Sequence, residues 1–542
     1  MSLNTIALHH HDHSVVATIK SRVTRLGVVS VLVLATITNV NAKDFNVVEA
    51  TVADVQAAYK AHTLTAHQLV QLYLDRIAAY DQQGPAIDCI VTTNPKALEE
   101  ADKLDAEFAK TGKFVGPMHG IPILVKDEID TAGMPTTLGT TIFKDYRPPL
   151  DAFVVAKLKS EGAIVLAKTT LSEFAGGDTY SALTGYSRNP YALDRTVGGS
   201  SGGSGGALAA NFGLLALGEE TASSLKRPAA WGALTGIRVT PGLISRSGMW
   251  DGAPVPTAQM GPMARTVTDM AKLLDGMVGY DPEDPITGMG VMHTPKTYTT
   301  YLDKNALKGA RIGVIREPLG SGSQPDSEDF KKVDALFQKA LTDVQAQGAT
   351  LVDIVIPDLA KLSAKRAIDP AMSDAALKIY LSRNPDSKFH SQADIDNDPE
   401  MANSFKAKAN ASRRNSGAKP TAAEILESKQ AREQLLFNMA KVMADNKVDA
   451  LAYKAVEQQP SLIAEATTPP YKTIGSGVVS LNTFLIYTPT ITVPMGFTND
   501  GIPAGLAFLG LPYSEPTLIK YAYAYEQATH HRKPPSTTPA LK

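Results

Sequence analysis

The sequence predicts an α/β fold with a large mixed central sheet covered by helices on both faces. Helical and strand patterns alternate along the chain. A helix over 152–161 precedes an apolar strand over 163–167, and a helix over 330–347 precedes a strand over 349–356. Such alternation is typical of a sheet buried between layers of helices. With 542 residues, 44% of them hydrophobic, the chain can bury a core of that size.

Residues 1–42 differ from the rest of the chain. Basic residues between positions 20 and 25 precede an apolar run over 26–38, which ends in small residues at 40–42. This order predicts a secretory signal peptide. The apolar run is short for a membrane span, although an uncleaved N-terminal anchor is the alternative. We therefore expect one domain over 43–542, exported to the periplasm or the medium, without stable membrane insertion once the signal is removed.

Composition excludes several classes of function. A net charge of −2 argues against a nucleic-acid-binding surface. Cys89 is the only cysteine, so an intrachain disulfide is excluded, and we predict that it is a small buried hydrophobe. Four histidines between positions 9 and 13 fall in the N-terminal segment, so we predict no metal site. No organic cofactor is implied.

The region between about 357 and 446 has no strand pattern and includes a polar stretch over 387–419. It predicts a helical insertion with an exposed loop, the kind of segment that caps a pocket. Strands and a last helix return beyond it, at 450–452, 490–494, 504–509 and 515–531. We expect the proline-rich tail after Arg532 to be disordered.

Residues 198–206 consist only of glycine and serine. Composition alone is compatible with a flexible linker. Apolar runs follow at 207–210 and 214–217, so we expect the glycines to lie inside a folded core. There they would let backbone N–H groups approach a ligand or a reacting atom.

Ser200 and Ser201 fall in overlapping Gly-x-Ser-x-Gly matches. In α/β-hydrolases this motif places a nucleophilic serine on a turn between a strand and a helix. The preceding residues 191–197 are a poor buried strand, and the sequence places no histidine partner. A phosphate-binding loop is disfavoured because no Gly-Lys-Ser/Thr follows the glycines.

Lys126 ends the buried-strand pattern at 123–125, which follows a Gly/Pro turn. A lysine in that place is normally a solvated strand end. The functional alternative is a lysine in an apolar site, where burial lowers its pKa so that it can be neutral and act as a base. His119, in the preceding turn, has no acidic partner placed by sequence and is interpreted as structural.

Several motifs together resemble the amidase signature family over roughly residues 46–532. They are Gly-Ile-Pro-Ile-Leu-Val-Lys-Asp at 120–127, Gly-Gly-Ser-Ser-Gly-Gly-Ser at 198–204, Ser-Leu-Lys-Arg-Pro-Ala at 224–229 and Gly-Pro-Met-Ala-Arg-Thr-Val at 261–267. The resemblance implies the fold of that family. It also implies a serine amidohydrolase that cleaves a carboxamide, or a related ester or carbamate, through an acyl-enzyme.

Carried over by position, the resemblance implies a Ser-Ser-Lys triad. Ser224 is the implied nucleophile, Ser200 the bridging serine after a cis peptide bond, and Lys126 the base. Neutral Lys126 would take the proton of Ser200, which takes that of Ser224, and the relay would reverse to protonate the leaving amine. The implied oxyanion hole consists of the backbone N–H groups of Thr221, Ala222, Ser223 and Ser224.

The segment before Ser224 departs from the family pattern. The family usually has Gly-Thr-Asp-x-Gly-Gly-Ser-Ile-Arg, where this chain has Gly-Glu-Glu-Thr-Ala-Ser-Ser-Leu-Lys at 218–226. Losing both glycines restricts backbone conformations with positive φ at the oxyanion hole. Glu220 and Lys226 replace an Asp and an Arg, which would preserve one charge pair. We expect this pair and Ser201 to support the site.

Other functions stay open at the level of sequence. An aminoacyl-tRNA amidotransferase subunit shares the fold and triad but works in a cytosolic complex. A catalytically inactive scaffold or binding protein is suggested by the missing glycines. Ser223, or a serine of the Gly-x-Ser-x-Gly motif, is a rival nucleophile. The expected partners are a small-molecule amide substrate and, as in many relatives, a second copy of the chain.

Overall fold

An eleven-stranded mixed sheet forms the centre of the molecule. The structure is a computed structural model that describes residues 45–255, 257–321, 323–404, 419–467, 478–479, 481, 485 and 487–541. In chain order the strands of this sheet are β1 (Ile90–Thr93), β2 (Pro122–Lys126), β3 (Ile164–Thr169), β4 (Leu215–Glu220), β5 (Thr235–Arg238), β6 (Gln259–Ala264), β7 (Arg311–Val314), β8 (Thr350–Asp353), β9 (Ala450–Lys454), β10 (Thr490–Phe497) and β11 (Pro503–Leu509). Their order across the sheet is β1-β3-β2-β4-β6-β5-β10-β11-β9-β7-β8. The predicted fold class is confirmed.

Three neighbouring strands of this sheet position the polar residues discussed below. β2 pairs in parallel with β3 on one side and with β4 on the other, and every residue of the three strands is buried. Parallel strands buried on both faces are apolar along their length, as these mostly are. Their carboxyl ends lie at the same edge, so Lys126, the last residue of β2, lies near Glu219 and Glu220, the last two of β4.

The described residues form fifteen helices. They pack with the sheet around one large apolar core, and two helices of the 357–446 segment contribute to a second, smaller apolar cluster. The helices are α1 (Val52–Lys60), α2 (Ala66–Tyr80), α3 (Ala97–Thr111), α4 (Phe153–Ser160), α5 (Gly202–Ala209), α6 (Lys226–Trp231), α7 (Val267–Met277), α8 (Thr287–Gly290), α9 (Glu328–Ala346), α10 (Leu359–Ser363), α11 (Pro370–Ser382), α12 (Gln392–Asp396), α13 (Ala422–Asn446), α14 (Ile463–Thr467) and α15 (Glu515–Thr529). Predicted helices and strands differ from these by a few residues at their ends, where fraying and caps decide the boundary.

The segment between 357 and 446 is helical where the structure describes it. It contains α10 to α13 and a 3₁₀ turn over Pro399–Asn403, and no strand among its described residues. Part of the predicted polar loop, 405–418, lies outside the described residues. The insertion is anchored to the rest of the fold, because the Tyr380 hydroxyl of α11 donates to Asp130 Oδ1 at 2.9 Å in a buried contact. Tyr380 also contacts Trp250 edge-on.

Residues 191–197, predicted to be a poor buried strand, contain the strand Ala192–Thr196, which is mostly not buried and pairs with Arg188–Asn189 in a separate two-stranded sheet. The prediction of a disordered tail is wrong. The tail after Arg532 is packed, because the buried guanidinium of Arg76 donates to the carbonyls of Thr538 and Pro539 at 2.8 and 2.7 Å. A long-range contact of this kind leaves no signal in tail composition.

The predicted signal peptide and its histidines lie outside the described residues, so the boundary at 42 stays a prediction. Within the part of the chain that the structure describes, no helix combines the length and the apolar composition needed to cross a bilayer.

Candidate active site

A buried lysine lies at the centre of the polar cluster at the carboxyl edge of β2. Lys126 is fully buried, and its Nζ lies 2.7 Å from Ser200 Oγ and 2.9 Å from Glu219 Oε2. Glu128 Oε1 lies 2.6 Å from the same nitrogen, at ion-pair distance but outside hydrogen-bond geometry. We call Lys126, Glu128 and Glu219 the Lys126 cluster. One cation therefore faces two carboxylates and one hydroxyl away from solvent.

The charges of this cluster change the expected behaviour of Lys126. Burial lowers the pKa of its ammonium, but the carboxylates of Glu128 and Glu219 raise that pKa, and the net pKa lies above its ordinary value. The sequence-based expectation of a neutral Lys126 considered burial alone, and these two carboxylates oppose that effect. Burial also raises the pKa of Glu128, with a further contribution from Glu219, to about 8 despite the opposing effect of Lys126. The pKa values of Lys126 and Glu128 therefore depend on each other, because each group lies in the field of the other.

The loop that carries Ser200 is fixed by its backbone. The peptide bond between Gly199 and Ser200 is cis, as the family resemblance implied. Arg227 donates to the carbonyl of Gly199 through Nε at 2.8 Å and Nη2 at 2.5 Å. Ser201 donates through its N–H to the carbonyl of Ser224 at 3.0 Å, and through its hydroxyl to the carbonyl of Glu219, also at 3.0 Å. Ser201 therefore links the Ser200 loop to both β4 and the segment of Ser224.

The turn from 220 to 226 is closed by a second buried ion pair. Lys226 Nζ lies 2.5 Å from Glu220 Oε1 and donates to the carbonyl of Ala222 at 2.8 Å. Glu220 Oε2 accepts from the N–H groups of Leu225 and Lys226 at 3.1 and 2.8 Å. The predicted charge pair is confirmed. It orders the turn on which Ser224 is carried.

The backbone of this turn leaves donors available. The N–H groups of Thr221, Ala222, Ser223 and Ser224 donate to no acceptor among the described residues. No residue from 212 to 232 has a positive φ. Alanine and serine therefore fit where the family has glycines, and the expected conflict at the oxyanion hole does not arise from φ.

Ser224 differs from its neighbours in accessibility. Ser200, Ser201 and Ser223 are buried, whereas Ser224 is partly exposed. A cavity of about 730 Å³ lies beside the turn, bounded by Thr221 and Thr257 and, from the helical insertion, by apolar side chains of α13 such as Leu436 and Phe437. The insertion therefore borders a cavity that reaches the Ser224 turn.

The glycines of α5 serve close packing. A Cβ on Gly203 would lie 2.3 Å from the backbone nitrogen of Thr170, and one on Gly205 would lie 2.7 Å from Cβ of Pro228. Side chains at these positions would push α5 away from β3 and from α6. The flexible-linker interpretation is wrong, since this segment is a buried helix.

The remaining candidates have structural surroundings. His119 stacks on Phe114 with ring centroids 4.8 Å apart and accepts from the N–H of Val115 at 3.2 Å. Cys89 is buried, and burial raises the pKa of its thiol well above the ordinary value, which disfavours the thiolate. Among the described residues, no group of three or more His, Cys, Asp or Glu side chains is arranged to hold a metal ion.

Comparison with known proteins places this site in a family. A family model described as Amidase matches residues 68–519. The chain belongs to the amidase signature family. A glutamyl-tRNA(Gln) amidotransferase subunit from Thermosynechococcus vestitus is 34% identical over 87% of this chain and 96% of its own length.

Solved structures give the same family. The native peptide amidase of Stenotrophomonas maltophilia superposes with a TM-score of 0.80 at 32% identity, covering 91% of this chain and 99% of that one. An amidase family protein from Bacillus anthracis has a TM-score of 0.74 at 31% identity, covering 93% and 96%. The chain is an amidase, a hydrolase that acts on carbon–nitrogen bonds.

Sequence reasoning missed two members of the Lys126 cluster. Glu128 lies two residues after Lys126, and Glu219 lies next to Glu220. The signal was a pair of glutamates at the ends of two apolar strands, where a buried carboxylate needs a partner. The pairing of Lys126 with Glu219 could not be predicted from the sequence, because it depends on β2 and β4 being neighbours in the sheet.

Proposed function

We propose that this amidase cleaves a carboxamide, or a related ester or carbamate, through an acyl-enzyme on Ser224. The observation that carries the proposal is the accessibility of Ser224 beside a buried serine that contacts a lysine. Ser200 accepts from Lys126, while Ser201, the next residue, donates to the carbonyl of Ser224. A serine hydroxyl becomes an effective nucleophile only when a base takes its proton as it attacks.

The free backbone donors of the turn supply the second requirement of acyl transfer. Attack of Ser224 on a substrate carbonyl places negative charge on the carbonyl oxygen. The N–H groups of 221–224, which find no acceptor among the described residues, are available to that oxygen. Preorganised donors of this kind contribute roughly 3–4 kcal/mol each to transition-state stabilisation.

The cavity between the turn and the helical insertion is the proposed substrate site. Its wall combines apolar side chains with charges of both signs, including Arg366 and Arg432 as well as Asp369 and Glu433. An apolar wall with a few polar groups is typical of small-molecule sites. The helical insertion then determines which acyl or leaving group fits.

A fluorophosphonate probe tests the nucleophile without knowledge of the substrate. The purified full chain is labelled, and the modified residue is mapped by peptide mass spectrometry. We expect label on Ser224, loss of label in Ser224→Ala, and retention in the matched control Ser223→Ala. Label on Ser223 or Ser201 would assign a different nucleophile, and absence of label would favour the inactive-scaffold alternative.

Two further points belong to this proposal. We propose that residues 1–42 are a cleaved signal peptide and that the protein is exported, which is supported by the order of basic, apolar and small residues there. N-terminal sequencing of protein from fractionated cells tests it, and an intact N-terminus in the cytosol would contradict it. Cytosolic protein that co-purifies with a second subunit would instead favour the amidotransferase role that the name of one relative carries.

A further inference from the structure

The Lys126 cluster conflicts with a relay that ends on lysine. An ammonium has three donors and no acceptor. The Nζ of Lys126 donates to Ser200 Oγ and Glu219 Oε2, and Glu128 Oε1 lies at ion-pair distance from it, 2.6 Å away. A protonated lysine in this setting accepts a proton from Ser200 only if it passes one of its own to a carboxylate.

The two carboxylates of the cluster are not equivalent. Glu219 accepts from Lys126 through Oε2 and from the Thr221 hydroxyl through Oε1 at 2.8 Å. Both of its oxygens therefore already accept a hydrogen bond. Glu128 Oε1 lies nearer to Nζ, at 2.6 Å, but accepts no hydrogen bond among the described residues. The unused acceptor position of the cluster is therefore on Glu128.

We propose that Glu128 is the terminal proton acceptor of acylation, acting through Lys126, while Glu219 remains the hydrogen-bonded partner of that lysine. The inference rests on the proposed function at Ser224. It makes Glu128 and Glu219 positioning residues, since both act through Lys126 and neither touches the reacting atoms.

The step balances without a co-reactant. The Ser224 O–H bond breaks as its oxygen bonds to the substrate carbonyl carbon, and the proton moves to Ser200. The original proton of Ser200 moves to Lys126 Nζ, and one Nζ proton moves to Glu128. Glu128 becomes neutral as the substrate oxygen becomes negative, and Lys126 is an ammonium before and after. The reverse transfer protonates the leaving nitrogen when the carbon–nitrogen bond breaks.

The charges around Glu128 set the expected pH dependence. Lys126 of β2 and Glu219 of β4 face it directly. Further charged groups near this edge include the Asp127–Lys168 pair toward β3, the Glu220–Lys226 pair at the end of β4, Arg227, which interacts with Glu220, and Arg238 of β5, which interacts with Glu219 and Glu220. Asp130 lies farther along the same loop, paired with Tyr380. Glu128 must be ionised to accept, so labelling is expected to rise with pH.

Rates of fluorophosphonate labelling at Ser224, measured from pH 5 to 10, distinguish two roles of Lys126: a relay that passes the proton to Glu128, and a neutral base that keeps it. In Glu128→Gln we expect labelling roughly 100-fold slower, the scale of a general base, with the rise with pH abolished. In Glu219→Gln a like charge beside Glu128 is removed, so labelling persists and its half-maximal pH falls by about one unit. The two variants are thus expected to behave in opposite ways.

Other outcomes overturn the proposal. If neutral Lys126 is the base, losing either carboxylate lowers its pKa, and both variants label faster than the parent near pH 7. If Glu128 is only structural, Glu128→Gln slows labelling by the same factor at every pH, and the labelling rate still increases with pH. If Glu128→Gln does not fold, the variants Glu128→Asp and Glu219→Gln test whether Glu128 is the proton acceptor. The proposal fails if Glu128→Asp labels with an unchanged half-maximal pH, or if Glu219→Gln abolishes the rise.

A matched control uses the neighbouring buried carboxylate. Asp127 is fully buried and lies 3.2 Å from Lys168, so Asp127→Asn makes the same carboxylate-to-amide change one residue away. It is expected to keep the rise with pH at its parental position. Label mapped away from Ser224 would defeat the proposed function, whereas label on Ser224 with the wrong pH profile would defeat only the role of Glu128.

Discussion

Lys126 and Lys226 are both fully buried lysines, and they pair with two adjacent residues of β4, Glu219 and Glu220. Successive residues of a strand point to opposite faces, so one strand end serves two separate ion pairs. Lys126 meets a second carboxylate and a serine hydroxyl, and its pKa is raised. For Lys226, burial outweighs the single carboxylate of Glu220, and its pKa is lowered.

The difference shows that burial does not by itself decide what a lysine does. Two carboxylates around Lys126 create a site with protons to exchange. The single carboxylate of Glu220 instead accepts from backbone N–H groups and closes a turn. The first arrangement is suited to proton transfer, and the second to holding the Ser224 segment in place.

The largest expected effect is that of Lys126→Met, which keeps side-chain bulk and removes the charge. It breaks the path from Ser200 to Glu128, so we expect labelling of Ser224 to slow about a thousandfold, within the range of general acid–base catalysis. The measurement is the labelling rate at a temperature where the variant is folded. Slowing of less than tenfold would place the base elsewhere.

Lys226→Met tests the other half of the comparison. It leaves Glu220 buried without its cation, and breaking a buried pair costs about 3–5 kcal/mol in the free energy of unfolding. Chemical denaturation measures this loss. The double variant Lys226→Met with Glu220→Gln should recover part of it, because no unpaired charge remains. The half-maximal pH of labelling should stay at the parental value, and a shift would contradict the separation of the two pairs.

The pH dependence of stability sharpens the contrast further. Burial raises the pKa of Glu128 to about 8 and that of Asp130 to about 7. Raised folded-state pKa values of carboxyls stabilise the fold below their unfolded pKa, and this stability is lost as pH rises through 7 to 8. Each group contributes up to about 1.4 kcal/mol per pH unit. We expect a lower melting temperature at pH 9 than at pH 6, with a smaller fall in Glu128→Gln.

The smallest effect is expected for Ala222→Gly, which restores a glycine of the family pattern. Ala222 does not have a positive φ, so glycine gives the oxyanion hole no conformation that alanine lacks. We expect labelling to change less than threefold and stability to fall by about 0.5–1 kcal/mol from the added freedom of the unfolded chain. A tenfold gain in labelling would show that the Ala222 side chain impairs the hole.

Local patterns predicted much of this fold. A capping box of Thr65 and Gln68 begins α2, and the predicted strand before Lys126 is β2. Short-range signals suffice there, since caps depend on residues three apart and a strand between two sheet neighbours is apolar throughout. The prediction of a disordered tail failed for the opposite reason, because the tail is held by Arg76, more than 450 residues away in sequence.

The sequence by itself determined the amidase family, the sheet architecture and the identities of Lys126, Ser200 and Ser224 as candidates, because motifs are local and residue types carry their own chemistry. Only the tertiary structure decided which charged groups surround Lys126 and how they shift its pKa. Glu219 reaches Lys126 because β4 lies beside β2, and two carboxylates then outweigh the effect of burial on the pKa of that lysine. A pKa depends on distances between groups far apart in sequence, and sequence spacing does not give those distances.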